Sequence, residues 1–320
     1  MGCVLLRSAN PVDEEKQLAD LQESEGTDFP GSNNQFSDRS QWMGAQLDLE
    51  KTRVKDVIWP GSHDSATDKI GLPYTTRPFA QCQTLSVYRQ LLQGVRVFDI
   101  RVDENGFVCH GILTSYKIDV VICAVKRFLY ETTAEFVILE IRTEYGHDDP
   151  PNFDAWLIEE LKDFLIKQDE SVFDRTLSEL LPRRVFCIWK PRSSPVPLPC
   201  SPLWNGQFLR DNWIDTDLPY TKFLSNLYYL AKQPPAHERC YFYRVENTCT
   251  PQASSAIACV KPVTSRIQPY VRLFISQAYK RGLGDYLQIL SSDFVEDDFI
   301  DACIGATLGR LECCDTVEKS

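Results

Sequence analysis

Between residues 54 and 308 the chain alternates short apolar runs with stretches of helical spacing, and few folds accept that pattern over such a length. Residues 54–58, 95–102, 107–110, 136–141, 185–189, 208–210, 241–243 and 287–289 read as strands. Helical spacing falls at 85–92, 118–130, 153–166, 224–232, 269–281 and 296–308. Gly94 closes the first helix, and Val120, Val121, Ala124, Val125, Phe128 and Leu129 are expected on the inner side of the second. Repeated strand–helix units predict an α/β parallel barrel. Several long linkers make it irregular. No repeat or linker divides the middle of the chain, and 191–202, with five prolines, reads as a rigid surface loop. The expected layout is a flexible arm over 1–40, one barrel domain over 41–312 and a tail over 313–320.

A formal net charge of −11 argues against a nucleic-acid partner and against general adhesion to an anionic bilayer. Twelve cysteines are scattered without C-x-x-C or paired His/Cys spacing, so they read as reduced, mostly buried thiols of a cytoplasmic protein. No run approaches a membrane span. Gly2 and Cys3 follow Met1 as in dual acylation, although Leu6 stands where myristoylation prefers Ser or Thr. Acylation there would make the protein peripheral to a membrane.

Polar residues inside apolar strands carry the chemical signal. Residues two apart on a strand share a face, so Asp99 projects with Arg101, and Glu140 with Arg142. Buried charges need partners or a wet cavity, which leaves internal salt bridges and a charged site both open. His63-Asp64 follows the first strand at Trp59-Pro60-Gly61, where Pro60 and Gly61 are read as stopping it; His110 ends another strand. His147 and His237 sit in polar loops and read as solvated. Two imidazoles with an arginine suit phosphoryl transfer: one base, one acid and a fixed cation.

The run Gly61-Ser62-His63-Asp64-Ser65-Ala66-Thr67, then Gly94-Val95-Arg96-Val97-Phe98-Asp99-Ile100-Arg101 and Cys109-His110-Gly111, resembles the X domain of phosphatidylinositol-specific phospholipases C. Residues 77–83 and 210–217 extend the similarity, and 45–310 as a whole resembles the proteins with a lone X domain. The resemblance implies a distorted TIM-type (β/α) barrel and cleavage of phosphatidylinositol-type lipids to diacylglycerol and a 1,2-cyclic phosphate. It implies His63 as general base, His110 as general acid with Asp64 helping, Arg101 against the phosphate oxygens, and Asp293 behind the base. Arg142 and Lys190 match basic contacts of bacterial members, and Asp211 and Trp213 match an Asp-x-aromatic pair that binds and stacks on the inositol. Asp99 belongs to the same substrate-binding set.

Calcium-dependent relatives carry oxygen ligands at the places held here by Asp64, Asp99, Arg101 and Arg142. Two arginines there would repel a dication, so no metal cofactor is expected. The expected partner is a phosphatidylinositol-type lipid at a membrane surface, met by a monomer. Tyr74 and Phe79 flank Arg77 and could dip into a bilayer or pack inward. A weak or inactive barrel that binds inositol phosphates or lipids is the alternative. A metal-dependent glycerophosphodiesterase or sphingomyelinase-D-like barrel is disfavoured by Arg101.

Overall fold

A computed structural model describes residues 10–252 and 257–317; Gly2 and Cys3 lie outside them. The strands are β1 (Trp59–Ser62), β2 (Val97–Val102), β3 (Phe107–His110), β4 (Leu113–Lys117), β5 (Val137–Thr143), β6 (Val185–Lys190), β7 (Trp204–Asn205), β8 (Leu209–Asp211), β9 (Phe242–Asn247) and β10 (Ile289–Ser292). Eight are parallel, in the order β7-β6-β5-β2-β1-β10-β9-β8, and β3–β4 is an antiparallel hairpin on β2. The sheet curls into a distorted TIM-type barrel. Its seam lies between β7 and β8, which join through a short turn without pairing. The helices are α1 (Pro11–Glu25), α2 (Trp42–Gln46), α3 (Val87–Gln93), α4 (Asp119–Glu131), α5 (Phe153–Leu161), α6 (Leu177–Leu180), α7 (Pro219–Leu230), α8 (Val260–Thr264), α9 (Val271–Lys280) and α10 (Asp297–Val317).

The first strand is displaced from its expected place. Residues 54–56 form a 3₁₀ turn, and β1 is the Trp59-Pro60-Gly61-Ser62 run itself. Pro60 lies within β1 although it has no N–H to give the ladder. The Pro60 carbonyl still accepts from Arg96 N at 2.8 Å. Gly61 is required by close approach: a Cβ there would sit 2.5 Å from Ser291 Oγ.

The lower barrel is filled by Trp59, Phe186, Trp204, Phe242 and Phe173, with ring centroids 4.9–6.5 Å apart. Mutually edge-on rings of that size close the bottom to water. The upper half holds charges instead, and that contrast places the site at the carboxyl ends of the strands.

Residues 11–40 are not a loose arm. α1 buries Leu18 and Glu14, and Gly31 comes so close to α10 that a Cβ would lie 1.9 Å from Gly305 O. Arg39 then pairs with Asp301 at 2.6 Å. The polar composition hid this docking because α1 needs only a narrow apolar stripe. At the other end α10 runs on to Val317, past the expected start of the tail. Of ten described cysteines five are buried, fewer than expected. His237 is exposed, whereas His147 is tied to Glu104 at 2.7 Å and to Gly111 O at 3.1 Å rather than solvated. Among the described residues no helix is long and apolar enough to cross a membrane.

Candidate active site

β1 ends in a tight turn that aims two side chains inward. Asp64 adopts φ of 42°, a left-handed conformation that few residues other than glycine accept, and aspartate is among them. The turn is pinned by Ser65 N to Asp99 O at 2.8 Å and by Thr67 Oγ1 to Asp64 O at 2.7 Å. Gln83 lends its amide to His63 O at 3.0 Å and Ser292 O at 2.9 Å, so the ends of β1 and β10 move as one.

His63 Nδ1 lies 2.8 Å from Asp293 Oδ1, and its Nε2 lies 2.9 Å from Arg101 Nη2. A guanidinium only donates, so this contact belongs to the neutral ring, with its proton on Nδ1; in the protonated ring Nε2 also donates, and Asp64 Oδ2 at 3.5 Å is the acceptor beside it. His110 Nδ1 faces Ala80 O at 2.9 Å, which also fixes its proton there and turns Nε2 inward. Both Nε2 atoms converge on one oxygen, Asp64 Oδ2, at 3.5 Å for His63 and 3.6 Å for His110. Arg101 Nε holds the other Asp64 oxygen at 2.8 Å. The two imidazoles, the guanidinium and Asp293 all line one cavity of about 470 Å³.

Below them lies a charged lattice. Asp99 pairs with Arg101 at 3.1 Å and Arg142 at 3.4 Å; Glu140 meets Arg142 at 3.1 Å and Lys190 at 2.6 Å. Arg244, almost wholly buried, joins Glu140, Asp211 at 2.9 Å and Glu246 at 2.5 Å. Burial opposes charge on Glu140, yet Arg142, Arg244 and Lys190 hold it down to about 2. Burial wins at Glu246 and raises it, with Arg244 only partly offsetting that. Arg244 and Glu246 escaped the sequence reading although they show the same two-residue spacing as Asp99/Arg101.

Arg142, Asp211 and Trp213 line the cavity, but two other expected substrate contacts do not. Asp99 is fully buried beneath it, occupied by the two arginines. Lys190 is turned to Glu140 and to Leu209 O at 3.0 Å. Both brace the residues that do reach the cavity. Trp213 departs from its expected place differently: its indole stacks on His63, with centroids 5.2 Å and planes 21° apart, so no ring fits between them. Tyr74 and Phe79 are exposed in the loop after β1.

Burial opposes protonation of His63, but the carboxylates of Asp64 and Asp293 outweigh it and raise the group from 6.5 to about 9. The raised value has a sign consequence. Protonated His63 stabilises the fold fully below about pH 6.5, and that contribution fades as pH rises through about 9. An NMR titration of the His63 ring should show a midpoint near 9 that moves down in Asp293→Asn. A midpoint at or below 6.5 in the parent protein would contradict the assigned electrostatics.

Residues 59–183 match the family model of the phosphatidylinositol-specific phospholipase C X domain. Over that stretch the chain is similar to the X domain of phosphatidylinositol-specific phospholipases C. Over 111 residues the chain is 33% identical to the 1-phosphatidylinositol phosphodiesterase of Listeria monocytogenes, an alignment covering 34% of each chain. The chain therefore spans about a third of that relative's length. Human PI-PLC X domain-containing protein 3 is 26% identical over 304 residues, 83% of this chain and 92% of that one. In structure, the Listeria phosphatidylinositol-specific phospholipase C superposes with a TM-score of 0.67 at 20% identity, over 84% of this chain and 98% of its own. A Staphylococcus aureus phosphatidylinositol-specific phospholipase C reaches 0.63 at 18% identity, over 84% and 97%. These likenesses establish the barrel.

Proposed function

We propose that this chain is a phosphodiesterase that cleaves phosphatidylinositol-type lipids to diacylglycerol and an inositol 1,2-cyclic phosphate. The observation that carries the reading is the convergence of two Nε2 atoms on Asp64 Oδ2, with Arg101 on the same carboxylate. In this reading His63 in its neutral form takes the proton of the inositol 2-hydroxyl at Nε2 as that oxygen attacks phosphorus. The bond from phosphorus to the diacylglycerol oxygen breaks, and His110, acting as the imidazolium with a proton on each ring nitrogen, donates the Nε2 proton to that oxygen. Arg101 shifts from His63 to the non-bridging oxygens, where a permanent cation stabilises developing charge. Asp293 and the Ala80 carbonyl accept from the two Nδ1–H groups and keep both Nε2 atoms turned to the cavity. Lipid at a membrane surface is the substrate form, and the exposed Tyr74 and Phe79 suit contact with it.

The chemistry is proposed to need no metal. His63, Asp64 and Cys82 bring ligand atoms within 4.8 Å of one another. Their chemistry suits a hard dication poorly. Burial pushes the Cys82 thiol well above its ordinary range, and a guanidinium already occupies Asp64. Release of diacylglycerol from phosphatidylinositol vesicles should be unchanged by EDTA; activity lost in EDTA and restored by calcium would overturn this. A second reading, a lipid or inositol-phosphate binding module of little activity, draws on Arg101 and Trp213, which cover the Nε2 and one face of His63. Retention of vesicle binding without diacylglycerol release would favour it.

A further inference from the structure

Lys222, in the first turn of α7, has no solvent exposure, and among the described residues no carboxylate lies within ion-pair distance of it. Glu246, Asp211 and Asp293 surround it at longer range, together with the Cys249 thiol. A buried ammonium without a direct counter-ion is costly, so its contacts are informative. There are two. Nζ donates to Ile214 O at 3.2 Å and stands 4.0 Å from the centroid of the Trp213 ring. One side chain thus grips the loop after β8 by both its backbone and its indole. That indole is the one stacked on His63.

The turn carrying Lys222 is itself held from outside. α7 begins at Pro219, and Leu218 supplies no side-chain cap, so its first N–H groups lack an intrahelical acceptor. Glu14 of α1 supplies one: its carboxylate accepts from Thr221 N at 2.9 Å and Thr221 Oγ1 at 2.7 Å. An acid there also complements the helix dipole. A continuous set of contacts therefore runs from α1 through Thr221, Lys222 and Trp213 to the imidazole.

We propose that Lys222 is a positioning residue of the site, fixing Trp213 against His63, and that α1 sets this position by capping α7 through Glu14. The proposal rests on the reading of His63 as the base, but its test does not. Trp213 emission is isolated as the difference between the parent protein and Trp213→Phe. Imidazolium quenches a stacked indole, so this emission should rise with pH as His63 loses its proton. Lys222→Met should abolish the pH step and shift the emission to longer wavelength. Lys222→Arg should restore the step, and Glu14→Gln should weaken it. Under the proposed reaction Lys222→Met also lowers kcat about tenfold with KM within about twofold. An unchanged Trp213 pH step in folded Lys222→Met, or a step lost equally in Lys222→Arg, overturns the proposal. Absence of diacylglycerol release from the parent protein with the spectral pattern intact would instead overturn the catalytic reading and leave the positioning role standing.

Discussion

Replacement of His110 by alanine is expected to lower cleavage of phosphatidylinositol by about 10³-fold, within the range that removal of a general acid produces. The loss should depend on what leaves. A diacylglycerol alkoxide needs a proton as its bond to phosphorus breaks, and His110 Nε2, 3.6 Å from Asp64, is the group placed to give it. A p-nitrophenyl ester of inositol 1-phosphate expels a stable phenolate, so the same variant should retain about a tenth or more of parental activity on it. His63→Ala should be impaired on both substrates, because each requires deprotonation of the 2-hydroxyl. Equal losses on both substrates in His110→Ala would remove His110 from the acid role.

Replacement of Arg244 by methionine should have the largest effect on stability. The guanidinium is almost wholly buried and joins Glu140, Asp211 and Glu246. Removing it leaves Glu140 with Arg142 and Lys190 but takes from Asp211 and Glu246 the guanidinium they meet, the situation in which breaking a buried ion pair costs about 3–5 kcal/mol. In a chain of 320 residues that is a fall in Tm of about 5–7 °C. Combining Arg244→Met with Glu246→Gln should recover part of the loss, since it withdraws one of the stranded charges. A Tm within about 2 °C of the parent in Arg244→Met would show that the lattice adds little to stability.

Much of the architecture was legible because its signals are local. Strand–helix alternation predicts a parallel barrel, and β3 falls where its apolar run predicts. The pairing of Asp99 with Arg101 could be read from two-residue spacing alone. Other features depend on partners far away in sequence. Pro60 reads as a strand breaker, yet its carbonyl pairs with Arg96 N just ahead of β2 and β1 runs through it. β9 reads as ending at Tyr243, since charges at 244 and 246 resemble a loop; they are tolerated because β5 and β8 bring Glu140 and Asp211 to meet them. Asp99 and Lys190 show the converse limit. Sequence identifies them as charges inside a barrel but not their depth, and depth separates a residue that meets a ligand from one that braces its neighbours. For Trp213 the chain supplies an aromatic near the site, whereas only the fold shows that His63 occupies one of its faces.

The reading stands or falls on whether His63 and His110 act on the same phosphate, with Arg101 between them. Phosphorus NMR of phosphatidylinositol micelles incubated with the purified protein reads that directly, because a five-membered cyclic phosphodiester resonates well downfield of the lipid. The expected result is growth of the cyclic signal at the lipid's expense, followed by slower appearance of inositol 1-phosphate. No cyclic signal under any lipid presentation, or acyclic inositol phosphate appearing first, would contradict it.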